Sequence, residues 1–579
     1  MKSEDSHRTT IMAKSTLKLL ASYIPNNTQL SYLEDIFFLL FDSLSRGDLF
    51  VHLDNQTSTH TLKNKGWPID HINALLETDL TKGENSPIAI NDNYISWRRW
   101  NNELKEVIQL LLNKTKLFSA SSNSFQINEK VLDIVSVNKE QLLAIKKIIQ
   151  CGLVLMSGGP GTGKTMTIIH MVNQVLCNDP LAKITLSAPT GKATRRLQES
   201  LQANISTSIS SSKERLLNIP CITLHSLLQA RPGGFGKNQK SLLDLDLLVI
   251  DEMSMVNLAL MQAVLNALPN KCKLILVGDP DQLPPISTGA IWQELQKPRT
   301  IDKFDDSAIH LRKLYRNRGA IAELSTVIRD EGLEAFWTTL STLDSSSNVQ
   351  LIRSKLNVLP KKVISIMKQQ KQELETLTRQ FKKDISYETE FSNIQKTQPI
   401  ELSNKVFRCL DRLIVLCPQK NGLWGVRDIH QKLLGNSLLE GLMSWPEGTP
   451  VICSTNQPEL GLSNGDIGII IGNSETRRIL FRVFTIEQKL VSSIVHPARI
   501  KKLEPAFALT IHKAQGSEAN NVILMWPETI SDSNAKSIAP TKDESYNQKL
   551  LYTAITRAKQ NLIINITYFD AFKDKNSQI

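Results

Sequence analysis

Residues 158–165, Gly158-Gly159-Pro160-Gly161-Thr162-Gly163-Lys164-Thr165, hold the most specific chemistry in the chain. They match GxxxxGK[ST], the pattern of a loop that wraps phosphate. Lacking Cβ atoms, the glycines let successive backbone N–H groups converge on a β-phosphate. Lys164 then brings an ammonium to the β and γ oxygens, and Thr165 brings a hydroxyl to Mg²⁺. The loop follows an apolar run, 153–156, and precedes a helical one, which is the strand–loop–helix context this chemistry requires.

Three further elements follow in order. The apolar run 247–250 ends in Asp251-Glu252, 87 residues beyond Lys164. Asp251 would hold Mg²⁺ through its water shell, and Glu252 would orient and deprotonate an attacking water. A second apolar run ends in Gly278-Asp279 and carries Gln282, an amide placed to sense a γ-phosphate or the attacking water. Last come two arginines, Arg316 in Leu311-Arg312-Lys313-Leu314-Tyr315-Arg316 and Arg557 in Tyr552-Thr553-Ala554-Ile555-Thr556-Arg557. An arginine arriving from a second lobe stabilises the charge spread over a transferring phosphoryl group and makes hydrolysis depend on lobe closure. Tyr315 is placed either to stack on adenine or to be buried at a helix end. Taken singly, an acidic pair is often a solvated loop, Gln282 can sit in a Pro-stiffened turn, and arginines are common on surfaces; the four elements in sequence favour phosphoryl transfer.

These residues need a scaffold, and the pattern around them supplies one. A helix over 141–150 and strands over 153–156, 184–186, 247–250 and 273–277 predict an α/β fold with a parallel sheet covered on both faces. The Ser-rich 205–213 and Gly-rich 231–240 read as surface excursions, the second as a possible hairpin. Residues 325–400 are helical and charged. From 415 to 503 short strands alternate with turns, including Asn464-Gly465-Asp466, which predicts a small β-barrel inserted in a second α/β lobe. Upstream, residues 33–44 form an apolar helix, and Trp67, Trp97 and Trp100 fall among breaks, as expected of a small helical/mixed N-terminal domain. The polar run 119–124 has the composition of a linker. The expected organisation is 1–118, an N-terminal partner-docking domain; 125–320, a first lobe; 321–418, the start of a second lobe; 419–503, the barrel-like insertion; and 504–579, the remainder of the second lobe.

At 579 residues the chain is too long for one core, and 41% hydrophobic with 22% charged residues is ordinary for a folded multidomain protein. No apolar stretch reaches the roughly 18 residues that cross a bilayer, and Lys14 and Lys18 interrupt the early apolar segment, so no membrane association and a cytoplasmic location are expected. Seven scattered cysteines without a CxxC pair predict reduced thiols and no zinc site. The net charge is +11, yet residues 1–120 carry 13 Lys/Arg against 14 Asp/Glu, which leaves +12 for the remainder and places a polyanionic partner there.

Taken together, these blocks resemble the superfamily 1 helicases, and their surroundings narrow the likeness to the RecD group. Ser187-Ala188-Pro189-Thr190-Gly191-Lys192-Ala193 looks like that group's first single-strand contact motif, Thr223-Leu224-His225 like the next, and the stretch from Leu509-Thr510-Ile511-His512 to Gln515-Gly516-Ser517-Glu518 like the late one. Pro450-Val451, Asn456 and 460–468 also resemble RecD sequence. The likeness spans about Gln141 to Lys559, and the N-terminal part is only faintly similar. It implies two RecA-like parallel-sheet lobes, ATP with Mg²⁺ in the cleft between them, and one DNA strand running across both. Pro189, Thr190, Lys192, His225, Thr510, His512 and Ser517 would approach that strand, largely through backbone and phosphate, giving salt-dependent binding nearly indifferent to sequence. Gln141 resembles the adenine-reading glutamine and Glu518 a ribose contact. Met166 departs from the threonine usual in the group, with little consequence expected because the metal hydroxyl remains at Thr165.

RecD proteins occur as a subunit beside RecB and RecC, or as longer stand-alone enzymes with helix-hairpin-helix repeats before the motor. Only 157 residues precede the phosphate loop here, the first 120 of them slightly acidic and none in an evident hairpin repeat, which favours the subunit. The resemblance then implies an ATP-dependent DNA helicase in an exodeoxyribonuclease V complex, with the N-terminal domain docked on a RecC-like subunit and the motor pulling the 5′-ended strand. The 5′-to-3′ polarity comes from the family comparison alone. No clustered acidic nuclease motif is evident, so cutting is expected of the RecB-like subunit. Two alternatives are a stand-alone or mobile-element helicase and an ATP-gated regulatory clamp on DNA; intact Lys164, Glu252, Gln282 and Arg557 argue against a dead ATPase.

Overall fold

The computed structural model describes residues 2–117, 137–205, 213–386, 395–527 and 544–567, apart from the short stretches 26–27, 54–61, 63, 92, 286, 314, 316–318, 345–346, 356–357 and 486–489. Arg316 and the linker-like run 119–124 lie outside the described residues. The N-terminal part contains helices α1 (Lys2–Leu19), α2 (Leu30–Ser45), α3 (Ile69–Leu76) and α4 (Arg98–Leu117), with strands β1 (Val51–His52), β2 (Ile88–Asn91) and β3 (Tyr94–Trp97). The strands form a small antiparallel sheet in the order β1-β3-β2. Leu33, Ile36, Phe37 and Leu40 recur at helical spacing along α2 and meet Leu17, Trp67, Leu75 and Ile95 in a core of their own.

The next unit is a doubly covered parallel sheet. Helix α5 (Lys139–Gln150) starts with a capping box: Asn138 accepts from the Gln141 N–H at 2.8 Å, and Gln141 Oε1 accepts from the Asn138 N–H at 3.1 Å. There follow β4 (Leu153–Gly158), α6 (Lys164–Asn178), β5 (Ile184–Ala188), α7 (Gly191–Ile205), β6 (Cys221–Thr223), the hairpin strands β7 (Ala230–Arg231) and β8 (Gly234–Phe235), β9 (Leu247–Ile250), α8 (Leu258–Ala267), β10 (Lys273–Gly278) and β11 (Ala308–Leu311). Six strands pair in parallel in the order β11-β4-β10-β9-β5-β6. Because β4, β10 and β9 are neighbours running the same way, their carboxyl ends deliver residues 158, 279 and 251 to one edge, where open α/β sheets bind ligands.

Alternation along β4 explains the two cores. Val154 and Met156 point toward Ile145, Ile148, Ile168 and Val172 of α5 and α6. Leu153 and Leu155 point the other way, toward Met261 and Val264 of α8, and there they also meet Leu104, Val107 and Leu111 of α4. The last helix of the N-terminal part is therefore built into the core of the first lobe. Lys114 closes this contact by donating to the carbonyl of Cys272 at 2.9 Å, and burial lowers the pKa of its ammonium.

The second lobe comprises α9 (Ala320–Asp330), α10 (Leu333–Thr342), β12 (Val349–Ser354), α11 (Lys361–Ser386), β13 (Gln395–Pro399), α12 (Ile400–Arg412), β14 (Leu413–Cys417), α13 (Val426–Leu434), β15 (Pro450–Cys453), β16 (Ile467–Ile471), β17 (Arg478–Phe484), β18 (Leu490–Val495), β19 (Leu503–Pro505), β20 (Ala508–Thr510), β21 (Ala519–Trp526), α14 (Glu544–Ile555) and β22 (Ala558–Thr567). Its parallel sheet has the order β12-β22-β21-β14-β20. The chain leaves this sheet after β14 and returns at β20, and between them lies most of a six-stranded antiparallel sheet, β13-β18-β17-β16-β15-β19. One of its edge strands, β13, comes from 395–399, ahead of the position 419 at which the sequence places the start of the insertion. The 26-residue α11 joins the two layers: Val363 and Met367 pack on the parallel sheet, whereas Leu374 and Phe381 pack on the antiparallel one.

Candidate active site

Between the two parallel sheets lies a cleft of ≈ 250 Å³. Its floor is the loop from β4 to α6. Gly161 and Gly163 take φ of +78° and +85°, backbone that side chains rarely adopt, and a Cβ on Gly163 would lie 2.6 Å from Gln141 Nε2. Lys164 Nζ folds back over the loop and donates to the carbonyls of Gly158 (2.7 Å) and Gly159 (2.9 Å), while Thr162 Oγ1 donates to Gly159 at 2.8 Å. The ammonium is thus held at the mouth of the loop by two backbone carbonyls. Pro160, Thr165 and the exposed Met166 border the same space.

At the end of β9, Asp251 Oδ1 accepts the N–H of Glu252 at 2.8 Å, and Glu252 is held in left-handed backbone at φ 55°, ψ 45°. For a glutamate this conformation is strained. Burial, and then the charge of Glu252, push the Asp251 carboxyl up to about 6, opposed by Lys164 and Arg196. Two adjacent carboxylates and the Thr165 hydroxyl are hard oxygen donors, the kind that suits Mg²⁺ shared with phosphate oxygens. Among the described residues no group of three His, Cys, Asp or Glu gathers elsewhere as a metal cage.

Asp279, at the end of β10, is buried and accepts three hydrogen bonds: from the Asp281 N–H (3.1 Å), Gln282 Nε2 (3.2 Å) and the Tyr552 hydroxyl (3.0 Å). Burial raises its pKa, partly offset by Lys164 and these donors. Gln282 is 3% exposed and borders the cleft, and its Oε1 is buried without a partner. The following residue is gripped from the second lobe: the Leu283 N–H donates to Thr553 Oγ1 at 2.9 Å, and its carbonyl accepts from Gln515 Nε2 at 3.0 Å.

Arg557 follows α14 and is 2% exposed. Nε donates to the Thr553 carbonyl (3.0 Å), Nη1 to the Ser517 carbonyl (3.3 Å) and Nη2 to Thr556 Oγ1 (3.4 Å), so the guanidinium is fixed by its own lobe while it borders the cleft. Burial lowers its pKa, and the nearby carboxylates of Glu252 and Glu518 oppose that shift. Tyr315 sits beside the phosphate loop: its N–H donates to the Gly161 carbonyl at 2.8 Å and its hydroxyl to Gln141 Oε1 at 3.2 Å. The residue is 42% exposed, with the Lys313 ammonium 5.0 Å from its ring centroid. Glu518 borders the cleft but is engaged by ion pairs with Arg196 and, at 3.5 Å, with Lys559.

The structure therefore brings Lys164, Thr165, Asp251, Glu252, Gln282, Tyr315, Glu518 and Arg557 to one cleft, with Gln141 behind Tyr315. Arg196 is the member that sequence reasoning missed; it stands one helical turn beyond Lys192 on α7, and its acidic partner is 322 residues away. The expected strand contacts are more dispersed. Pro189 and Thr190 lead into α7, whose start Thr190 Oγ1 caps by accepting the Ala193 N–H at 3.3 Å. His225 packs near Phe235 of the hairpin, their ring centroids 6.2 Å apart. Thr510 ends β20, and His512 Nε2 lies 3.0 Å from the Tyr546 hydroxyl. Lys192 and Ser517 instead line a separate ≈ 750 Å³ cavity between α7 and the second lobe, where burial depresses the Lys192 ammonium to about 8.

Comparison with known proteins assigns both lobes. Residues 141–288 match the AAA domain model, and residues 505–564 match the UvrD-like helicase C-terminal domain. The RecBCD enzyme subunit RecD of Mycolicibacterium smegmatis is 29% identical over 442 residues, 73% of this chain and 69% of that one. The RecBCD enzyme subunit RecD of Buchnera aphidicola subsp. Acyrthosiphon pisum is 27% identical over 533 residues, 87% of this chain and 84% of its own. A Bacteroides Pif1 bound to single-stranded DNA aligns with 74% of this chain and 91% of its own at 16% identity and a TM-score of 0.39, too remote to add weight. With alignments to RecD subunits that cover most of the chain, an AAA domain model on the first lobe and a UvrD-like helicase C-terminal model on the second, the chain is similar to the RecD subunits of RecBCD enzymes across both lobes.

Proposed function

We propose that this chain is the ATP-driven 5′-to-3′ DNA helicase subunit of a RecBCD-type exodeoxyribonuclease V, working with RecB-like and RecC-like subunits on the 5′-ended strand of a duplex end in break repair and recombination. One observation carries the reading: phosphate-binding, carboxylate, amide and arginine groups from both lobes converge on a single cleft. Incoming phosphates replace the Gly158 and Gly159 carbonyls at Lys164. Thr165 and Asp251 would hold Mg²⁺, which neutralises charge on the β and γ oxygens. Glu252 takes the proton of the attacking water, the free Oε1 of Gln282 accepts that water's other hydrogen, and Arg557 stabilises the transferring phosphoryl group. Tyr315 and Gln141 receive the adenine. Glu518 reaches the ribose once it leaves Arg196.

Hydrolysis then opens and closes two RecA-like lobes, 125–320 against 321–418 with 504–579, along a strand held near Thr190, His225, Thr510 and His512. The antiparallel insertion serves as a barrel-like module that extends this track. Residues 1–118 dock the RecC-like partner, supported by the exposed apolar side chains of Ile11, Met12, Leu19, Leu30, Ile69 and Leu76. The test is ATP-dependent unwinding of duplexes with 5′ or 3′ single-strand tails, with and without the partner subunits. Preferential unwinding of 5′-tailed duplexes is expected; preference for 3′ tails would overturn the polarity, and ATP hydrolysis without unwinding in the complex would favour a regulatory clamp.

A further inference from the structure

Tyr552 is a second-lobe residue whose hydroxyl reaches the strand ends beside the phosphate loop of the first lobe. It is 2% exposed on α14, and its hydroxyl lies 3.0 Å from Asp279 Oδ2. On its other side it abuts the phosphate loop: a Cβ added to Gly159 would sit 3.0 Å from the same hydroxyl. Asp279 Oδ2 also accepts Gln282 Nε2, at 3.2 Å. One carboxylate oxygen therefore joins a tyrosine of the second lobe to the amide of the first.

The chemistry of the amide gives this contact a consequence. Glutamine has a donating and an accepting end, and whatever occupies one end decides which faces the other way. With Nε2 committed to Asp279, Oε1 is the end left for the cleft, and it is buried without a partner. An acceptor there suits a water that must shed hydrogens as it attacks. Tyr552 has a single proton to give, and it gives it to the oxygen that orients the amide. When the second lobe withdraws, Asp279 loses that donor, and the neighbouring contacts from Thr553 and Gln515 to Leu283 loosen the same loop.

We propose that Tyr552 is a positioning residue for hydrolysis, holding Gln282 in its water-accepting orientation through Asp279 only while the lobes are closed. This rests on the cleft being the ATP site and adds to that reading a named link between lobe closure and turnover. Such a link hydrolyses ATP slowly when the second lobe is away and quickly when a bound strand draws the lobes together.

The test is steady-state ATP hydrolysis by the full chain, with and without single-stranded DNA, for the wild type, Tyr552→Phe, Gln282→Ala and the double variant. Losing one hydrogen bond to a charged acceptor predicts a fall of about ten- to a hundredfold in DNA-stimulated kcat, with KM for ATP within about twofold. On the Gln282→Ala background the same change costs less than about twofold, because its target is gone. A Tyr552→Phe kcat equal to wild type, or an equal fold-loss on both backgrounds, overturns the proposal. If Tyr552→Phe loses its thermal transition, Asp279→Asn takes its place: the same kcat-selective loss, absent in the Gln282→Ala background, is expected, and wild-type turnover overturns the link. A wild-type chain without DNA-stimulated hydrolysis would instead defeat the assignment of the ATP site.

Discussion

The two parallel sheets serve the cleft in opposite ways. In the first, the phosphate loop, Asp251-Glu252 and Asp279 to Gln282 leave the carboxyl ends of three adjacent strands, so their mutual placement is fixed by the hydrogen-bond register of β4, β10 and β9. In the second, the cleft-facing Glu518 and Arg557 come from the turn after β20 and from the junction of α14 with β22, and nearby Gln515 and Tyr552 reach the first lobe across chain separations of 232 and 273 residues. The first lobe carries a site; the second carries a relation to it. Nucleotide binding should accordingly rest mainly on the first lobe, with Glu518 the second lobe's contribution, and turnover on their closure.

Variants in each lobe sharpen that difference. Lys164→Gln removes the ammonium now resting on Gly158 and Gly159. DNA-stimulated hydrolysis should fall by more than about a thousandfold, with nucleotide binding weakened as well and the fold intact. Steady-state hydrolysis unchanged from wild type would remove the phosphate loop from the site. Arg557→Ala should separate the two properties: kcat falls on the order of a thousandfold while binding of a non-hydrolysable nucleotide, measured by fluorescence titration, stays within a few fold. Equal loss of binding would place Arg557 in ground-state recognition and erase the contrast between the lobes.

What the sequence made legible follows the same division. The phosphate loop was readable because its chemistry is contiguous, eight residues between a strand and a helix, and the strand at 247–250 was placed to the residue because β-rich apolar runs in a buried sheet have few other uses. Arg196 was not readable, because nothing in Thr194-Arg195-Arg196-Leu197 announces a carboxylate 322 residues downstream. The antiparallel sheet was partly readable. Its later strands alternate, but β13 is a polar run, Gln395-Lys396-Thr397-Gln398-Pro399, that pairs with β18 through its backbone and carries no apolar pattern. The likeness to RecD motifs supplied what periodicity could not, above all the expected strand contacts at Thr190, His225, Thr510 and His512.

The N-terminal part marks the limit of pattern reading in another way, and it gives the smallest of the expected effects. Leu104, Val107 and Leu111 recur at helical spacing, which predicts a buried face on α4 without saying what buries it. The sequence reads residues 1–118 as a small folded domain followed by a run with the composition of a linker. The structure buries that face against Leu258, Met261 and Val264 of the first lobe, so α4 acts as one of the motor's own covering helices. Leu111→Ala should then lower the stability of the first lobe by about 2–5 kcal/mol, read from its denaturant midpoint, because a fully buried leucine is removed and a cavity is left under β4. It should leave kcat per folded molecule unchanged, since the strand ends that hold Gly158 and Asp251 lie at the opposite edge of the sheet from Gly152 and Cys272, where α4 ends on the Cys272 carbonyl. A separate, low-temperature transition for the N-terminal part alone would show that it unfolds independently and that the motor does not share its core.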